Sequence, residues 1–427
     1  MDGGRPGRRP EEETVKLGAV SNEEAASHGK PLAGVRVLAL EQMQALPYAT
    51  QLLGRLGAEV VKVEHPAGGD SGRGSLPAMD DPKGRRVGAT FLRNNLNKRS
   101  ICVDLKRPEG RQLILDLAPR FDVVAENFKA GTLDRLGLGW DDISAASPRT
   151  IYLSVSGFGS TGSPYDRWPA YAPIAEAMSG IYEFKRQDDD PPVVAPMGGL
   201  GDIGSGLFAT IGVLAALRPR DATGRGQRVD FAMLAAMVAI TDIVTNFWSL
   251  GLRNGDLGPL IMHGFRASDG WFIIQVGREN QFAKLVEAIG HPEWVDDERF
   301  ADRQGWIDHL DDVIRPAIES WASTRTKVQA CDDLAAIGVA AGPCYSDEEV
   351  VGDDHVAARH MVVEMPRTDG VEQPVLIPGN PVKMSDVAEG PETRVPWLGE
   401  HTDEVLQTEL GYSEEQLAEL RDSGSIA

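Results

Sequence analysis

Positive charge is scarce in this sequence. Forty-three lysines and arginines stand against 64 aspartates and glutamates, a formal net charge of −21 at pH 7. That balance excludes nucleic acid or an anionic membrane surface as the general partner, so an anionic ligand would need a local basic patch. Cysteine is scarce as well. Cys102, Cys331 and Cys344 make no paired framework and have no metal-ligand spacing, which excludes a disulfide scaffold and a zinc site and fits a reduced, cytoplasmic protein. No apolar run reaches membrane-spanning length, about 20 residues. The longest, 203–217, is interrupted by three glycines and a serine. The opening residues, Met1 to Pro10, lack the apolar core of a secretory signal. There is no internal repeat. What is present is a soluble composition and 427 residues, enough for two domains or one elaborated domain.

Residues 1–30 are polar and charged, which predicts a mobile arm. Order is expected from the apolar run 32–40, of strand length. Pro47 then predicts the start of a helix over 48–56, closed by Gly57, and 58–64 reads as a second strand. Strand, helix and strand within about 30 residues form a βαβ unit and hence a parallel sheet. The turn after the first strand, Glu41-Gln-Met-Gln-Ala-Leu-Pro47, lacks the glycines that seat a pyrophosphate on a helix N-terminus, which argues against a dinucleotide site. Basic residues concentrate between Lys83 and Arg111, the best seat for a phosphorylated ligand in so acidic a chain. Strands are expected at 101–105, 122–125 and 151–156, with helices at 109–117 and 132–136 between them, an α/β pattern throughout. A long apolar helix is expected over 231–250. From Gly251 to Ala341 the character changes: a strand at 270–276 and helices bearing Trp294, Trp306 and Trp321 predict a separate small domain. The segment 342–427 reads as a return to the large one, ending in a helix over 413–422 with a capping box at Ser413 and Gln416.

One stretch stands out, Met197-Gly-Gly-Leu-Gly-Asp202-Ile-Gly-Ser205, followed by the apolar run to Leu217. Asp202 sits where a helix takes its N-cap, with its carboxylate at the positive end of the dipole. The plain reading is a cap. The chemical reading is a nucleophile that surrounding glycines let a substrate approach.

The blocks Leu32-Ala-Gly-Val-Arg-Val-Leu38, Leu56-Gly-Ala-Glu-Val-Val-Lys-Val-Glu64, Asn97-Lys-Arg-Ser-Ile101, Glu126-Asn-Phe128, Leu133-Asp-Arg-Leu-Gly137, Thr223-Gly-Arg-Gly-Gln227 and Gly399-Glu-His-Thr-Asp-Glu-Val-Leu406 occur in this order. Together they make the chain resemble the family III CoA-transferases, the group of formyl-CoA:oxalate and carnitine CoA-transferases, from about Pro31 to Ile426. The resemblance implies an interlocked homodimer. Its large domain would be doubly wound and Rossmann-like, 31–250 completed by 342–427, with a small α+β domain over 251–341. It implies no permanently bound cofactor. Coenzyme A would be a substrate, with an acyl-CoA donor and a carboxylic acid acceptor as partners.

Residue by residue, the resemblance makes Asp202 the nucleophile, through an aspartyl anhydride and an aspartyl-CoA thioester. Gln44 would lie near the acyl group. His65, Lys98, Asn127, Phe128, Thr132 and Arg135 would line the CoA nucleotide and pantetheine.

Three departures from the family pattern matter. The block Pro169-Ala-Tyr171-Ala172 has alanine where transferases carry an acid; Glu176, one helical turn on, could substitute. The closing glycine-rich loop has no clear counterpart in 255–263, so water exclusion would rest on Leu260, Ile261 and Met262. The family also holds 2-methylacyl-CoA racemases, whose histidine base falls on Tyr171, and tyrosine is a poor α-proton base at its usual pKa near 10. Racemase and non-catalytic acyl-CoA binder are therefore the alternatives to a transferase.

Overall fold

Val37, Leu38, Ala39 and Leu40 are all buried. A strand apolar on both faces must be covered on both, which is the mark of a parallel sheet between helical layers. The computed structural model, which describes residues 14–160, 162–166, 168–183, 190–194, 199–241, 243–251 and 259–427, contains that sheet. Its strands are β1 (Arg36–Leu40), β2 (Glu59–Glu64), β3 (Lys98–Cys102), β4 (Val123–Glu126), β5 (Ile151–Ser156) and β6 (Arg228–Ala232). They lie parallel in the order β3-β2-β1-β4-β5-β6. This is the doubly wound order, in which the winding reverses between β1 and β4.

Four helices matter for the site: α1 (Ala45–Arg55), α2 (Ala172–Met178), α3 (Leu200–Thr223) and α4 (Met233–Ala239). Val37 and Ala39 pack with α1 and α3 through Leu46, Leu53, Ala209 and Val213. Leu38 and Leu40 face the opposite layer, where Leu113 and Ile114 meet Val405, Leu406 and Leu417 from the C-terminal helices. Helix α1 starts two residues ahead of Pro47, because a proline in the first turn loses no intrahelical bond. Helix α3 is long and apolar enough to qualify as a membrane span, yet half of its apolar window is buried in the protein. A Cβ at Gly206 would stand 2.8 Å from Ala45 O and from Tyr48 Cδ1, so glycine is what lets α3 close onto α1.

The chain divides into two compact units, Met1–Asn246 with Asp354–Ala427, and Phe247–Asp353. The smaller has an antiparallel sheet of β7 (Ile261–Arg266), β8 (Trp271–Val276) and β9 (Ala340–Pro343), in that order. Phe265, Phe272, Trp294, Phe300 and Trp306 fill its core, and Trp306 stacks on Phe282 with ring centroids 4.4 Å apart.

Several expectations need correction. Residues 14–30 are not a loose arm: Val15–Lys16 pairs in parallel with Val363 and Glu364, and the Gly18 N–H donates to Glu392 O at 2.9 Å. No long helix covers 231–250. Phe231 and Ala232 are claimed by β6, which pairs with β5; α4 follows, and then a π-helical segment, Ile243–Phe247. The pairing of β9 with β8 keeps the chain in the small unit beyond Gly342. Ile261, expected to shield the site, lies in the small unit's own core. Residues 197–198 and 252–258 lie outside the described residues.

Candidate active site

The strands β1, β4 and β5 end together at the point where the winding reverses, and the segments leaving them line a cleft of about 330 Å³. Met43 and Gln44 come from the β1–α1 turn, Asn127 and Phe128 from the end of β4, and Gly157 and Phe158 from the end of β5; Trp168, Tyr171, Asp202 and Met233 complete it. A crevice at the carboxyl ends of the strands, at the switch point, is where doubly wound sheets bind ligands. No glycine fingerprint is needed for that.

The β1–α1 turn is held from two sides. Asn127 accepts from Gln42 N at 2.9 Å and donates back to Gln42 O at 2.9 Å. Asp70 Oδ1 accepts from Met43 N at 2.8 Å, and Met43 has a positive φ of 63°, an uncommon backbone state for a residue with a side chain. Beneath the turn lies a buried charge cluster. Lys62 Nζ is 2.8 Å from Asp70 Oδ2 and 3.3 Å from Glu41 Oε1. Lys98 Nζ is 2.7 Å from Glu41 Oε1, and Arg73 Nη2 is 2.6 Å from Glu64 Oε1. Burial opposes ionisation of Glu41, but Lys62 and Lys98 outweigh it and hold its pKa below the usual range. Burial outweighs Glu41 at Lys98 and lowers its pKa to about 8.

Lys98 is therefore not a phosphate ligand in this structure. Its side chain is fully buried, and its amine also donates to Pro47 O and Asn95 Oδ1. Two more members of the basic cluster are held in ion pairs, though less deeply buried: Arg85 with Asp81, and Arg99 with Glu59 and Glu404. Of the other residues expected to contact CoA, Asn127 and Phe128 line the cleft. His65 is exposed beyond the end of β2, with Nε2 3.7 Å from Asp104 Oδ1. Arg135 Nη2 donates to Thr132 Oγ1 at 3.1 Å. These three stand on the carboxyl edge of the sheet without lining the cleft.

Asp202 is not the N-cap. Gly199 caps α3 in the left-handed region, φ 87°, which places Asp202 third in the first turn. A Cβ on Gly199 would stand 2.8 Å from both Asp202 Oδ2 and Gln44 Nε2, so these two side chains converge over one glycine. Among the described residues no hydrogen-bond donor reaches the Asp202 carboxylate. One of the N–H groups that the first turn leaves without an intrahelical partner is taken by another acid: Glu176 Oε1 accepts from Gly201 N at 2.8 Å. Glu176 Oε2 accepts from the Tyr182 hydroxyl. Burial first, and the Glu176 charge second, push the Asp202 pKa up to about 6. The helix dipole alone would favour the ionised carboxylate; burial and the neighbouring Glu176 charge reverse that direction. Ala172, 2% exposed, packs its backbone against Gly201. Tyr171, 69% exposed, is the N-cap of α2 and lines the cleft.

The sequence reading missed Glu41, Asp70 and Trp168. Asp70 and Glu41 carried a signal, acids flanking predicted strands, but nothing local paired them with Lys62 and Lys98.

The cleft at the switch point of a doubly wound sheet, lined by Asp202 with no hydrogen-bond donor on its carboxylate among the described residues, is shared with known proteins. Residues 32–402 match the family model described as CoA-transferase family III. The chain is 35% identical over 401 residues to the succinyl-CoA–L-malate CoA-transferase beta subunit of Chloroflexus aurantiacus, covering 92% of this chain and 97% of that one. It is 35% identical over 419 residues to the formyl-CoA:oxalate CoA-transferase of Streptomyces coelicolor, covering 93% and 99%. A CAIB/BAIF family protein from Brucella suis superposes with a TM-score of 0.78 at 34% identity, covering 89% and 99%. The match spans the sheet, the cleft and the helix that carries Asp202, and the chain belongs to CoA-transferase family III.

Proposed function

We propose that Asp202 carries the transfer of CoA as a covalent relay. Its carboxylate attacks the acyl carbonyl of the donor thioester, and CoA leaves as a thiolate, giving a mixed anhydride. The thiolate attacks the aspartyl carbonyl, freeing the donor acid and leaving an aspartyl-CoA thioester. The acceptor carboxylate then attacks that thioester, and the expelled thiolate takes the acceptor's acyl carbon from the second anhydride. Asp202 is regenerated, and no oxidant, proton or nucleotide triphosphate is consumed.

The observation that carries this reading is the state of Asp202: a carboxylate lining the cleft with no hydrogen-bond donor on it among the described residues, its pKa raised to about 6. A desolvated carboxylate is more nucleophilic than a solvated one and still mostly ionised at neutral pH. Gln44 Nε2, converging with it on Gly199, would donate to the oxyanion of each tetrahedral intermediate. Asn127 and Phe128 would face the pantetheine, with His65, Thr132 and Arg135 further out toward the nucleotide. The racemase alternative lacks its second base, since no histidine is found among the described residues lining the cleft.

The interlocked homodimer belongs to the same reading. Its support is an exposed apolar stripe along α3, Leu207, Ile211 and Leu214, continued by Ile240, which a second chain would cover. Three unpaired cysteines support a reducing, cytoplasmic setting.

The test is to incubate the protein with a panel of acyl-CoAs, add hydroxylamine or borohydride, and measure intact mass and peptide maps. Modification at Asp202 is the expected result. A thioester that binds but leaves no adduct there, with or without an acceptor acid, would overturn the relay in favour of a binder.

A further inference from the structure

The relay does not use every buried acid near the cleft. Glu176 is 2% exposed and sits on α2, one turn beyond Ala172. Its two oxygens accept the Gly201 N–H of α3 and the Tyr182 hydroxyl, the pattern of an ionised carboxylate that is acceptor-only. Gly201 immediately precedes Asp202, so the bond fixes the turn from which the nucleophile projects. The N-cap residue, Gly199, has no side chain to do this. A surface cap would have done the same work from within the helix; here it comes from another helix and brings a charge into the interior.

We propose that Glu176 is the positioning residue of the nucleophile: through Gly201 it fixes the first turn of α3, and as a second negative charge beside Asp202 it biases that residue toward its covalent states. The inference rests on Asp202 being the nucleophile. Each covalent state, anhydride or thioester, is uncharged at Asp202. Acylation therefore removes one of two neighbouring negative charges, and the repulsion that burdens the free enzyme is relieved in the intermediate. The raised pKa of Asp202, with burial the larger cause and Glu176 the second, is the same repulsion seen through proton binding. The other groups around the carboxylate are uncharged Gln44 at the start of α1, and Asp166, Lys129 and Tyr171 along the cleft wall.

Two substitutions separate the two roles. In Glu176→Gln the amide oxygen can still accept from Gly201, so the geometry stays and the charge goes. The pH midpoint for forming the trapped Asp202 adduct should fall by about one unit. The share of enzyme standing as aspartyl thioester at equilibrium with acyl-CoA should drop about tenfold. In Glu176→Ala the bond itself is lost, and turnover should fall about 100-fold with the KM for acyl-CoA unchanged. A merely structural residue would lower stability without moving the midpoint. An unmoved midpoint and thioester share in Glu176→Gln would overturn the inference, and that variant keeps the test open if Glu176→Ala does not fold. Absence of any adduct in the unsubstituted protein would instead sink the relay, so the two failures are distinct.

Discussion

Replacing Gly199 with alanine should separate the geometry of the site from the stability of the fold. Gly199 has φ 87°, and an L-residue held in the left-handed region costs about 1–2 kcal/mol. Its new methyl would stand 2.8 Å from Asp202 Oδ2 and from Gln44 Nε2, well inside the roughly 3.5–4.0 Å that non-bonded heavy atoms prefer. One or both side chains must move. A misplacement of about 1 Å at a reacting centre costs about 100-fold in rate, so turnover should fall by that order. The matched control lies at the other end of the same helix. Gly224 has φ 70° and nothing within 4 Å of its missing Cβ, so Gly224→Ala incurs the backbone strain alone. The assay pairs thermal unfolding with steady-state transfer of CoA, product thioesters being separated by chromatography. Both variants should lower the melting midpoint by a similar few degrees, and Gly199→Ala alone should lose activity. Gly199→Ala keeping more than about a third of wild-type turnover would refute the convergence of Asp202 and Gln44, because a displacement of the size argued from the methyl contact cannot be that benign.

Other consequences can be checked in the same way. Asp202→Asn should lower transfer at least about 1,000-fold and abolish the trapped adduct, while calorimetry shows affinity for CoA esters within a few-fold of wild type. Acyl transfer should decline as pH falls through about 6, where the Asp202 carboxylate takes up a proton; a single-turnover pH series reads this directly. The sign for stability is opposite to that of a paired acid. The folded pKa of Asp202 lies above its unfolded value, so ionisation weighs on the folded state as pH rises from about 4 through 6. Asp202→Asn should thus melt higher than wild type at pH 8, and the gap should close by pH 4. Lys98→Met should destabilise the fold by about 3–5 kcal/mol, because it leaves a buried acid short of a partner. Protein that does fold should bind CoA within a few-fold of wild type, as a buried, fully bonded amine has no phosphate to lose.

The central strands were legible because both of their faces are buried: a mostly apolar run such as 32–40 needs no partner to be recognised. The last helix was legible to the residue, since Ser413 and Gln416 satisfy each other's backbone locally. What stayed hidden depends on distance along the chain. The resemblance puts Lys98 at the CoA nucleotide, where its charge would suit a phosphate, while Glu41, which consumes that charge, lies far upstream. Asp202 was placed as a cap because Gly199, with no side chain, carries no capping signal of its own. Glu176 was reachable only as a helical-spacing guess; that it bonds to Gly201 is a tertiary fact. The helix expected over 231–250 failed because apolar composition cannot distinguish a buried helix from a strand that feeds one, and β5 recruited Phe231 and Ala232 first.

The charge cluster under the β1–α1 turn also bears on how this enzyme can change. Glu41, Glu64 and Asp70 are balanced by Lys62, Lys98 and Arg73, each with a side chain at most 6% exposed. Such a set is closed: every member is compensated only by other members, so a lone substitution strands a charge while a reciprocal pair does not. Variation in the turn bearing Gln44 must therefore pass through narrow double changes. The Trp168 and Tyr171 wall of the cleft is not tied to this cluster and can change one residue at a time.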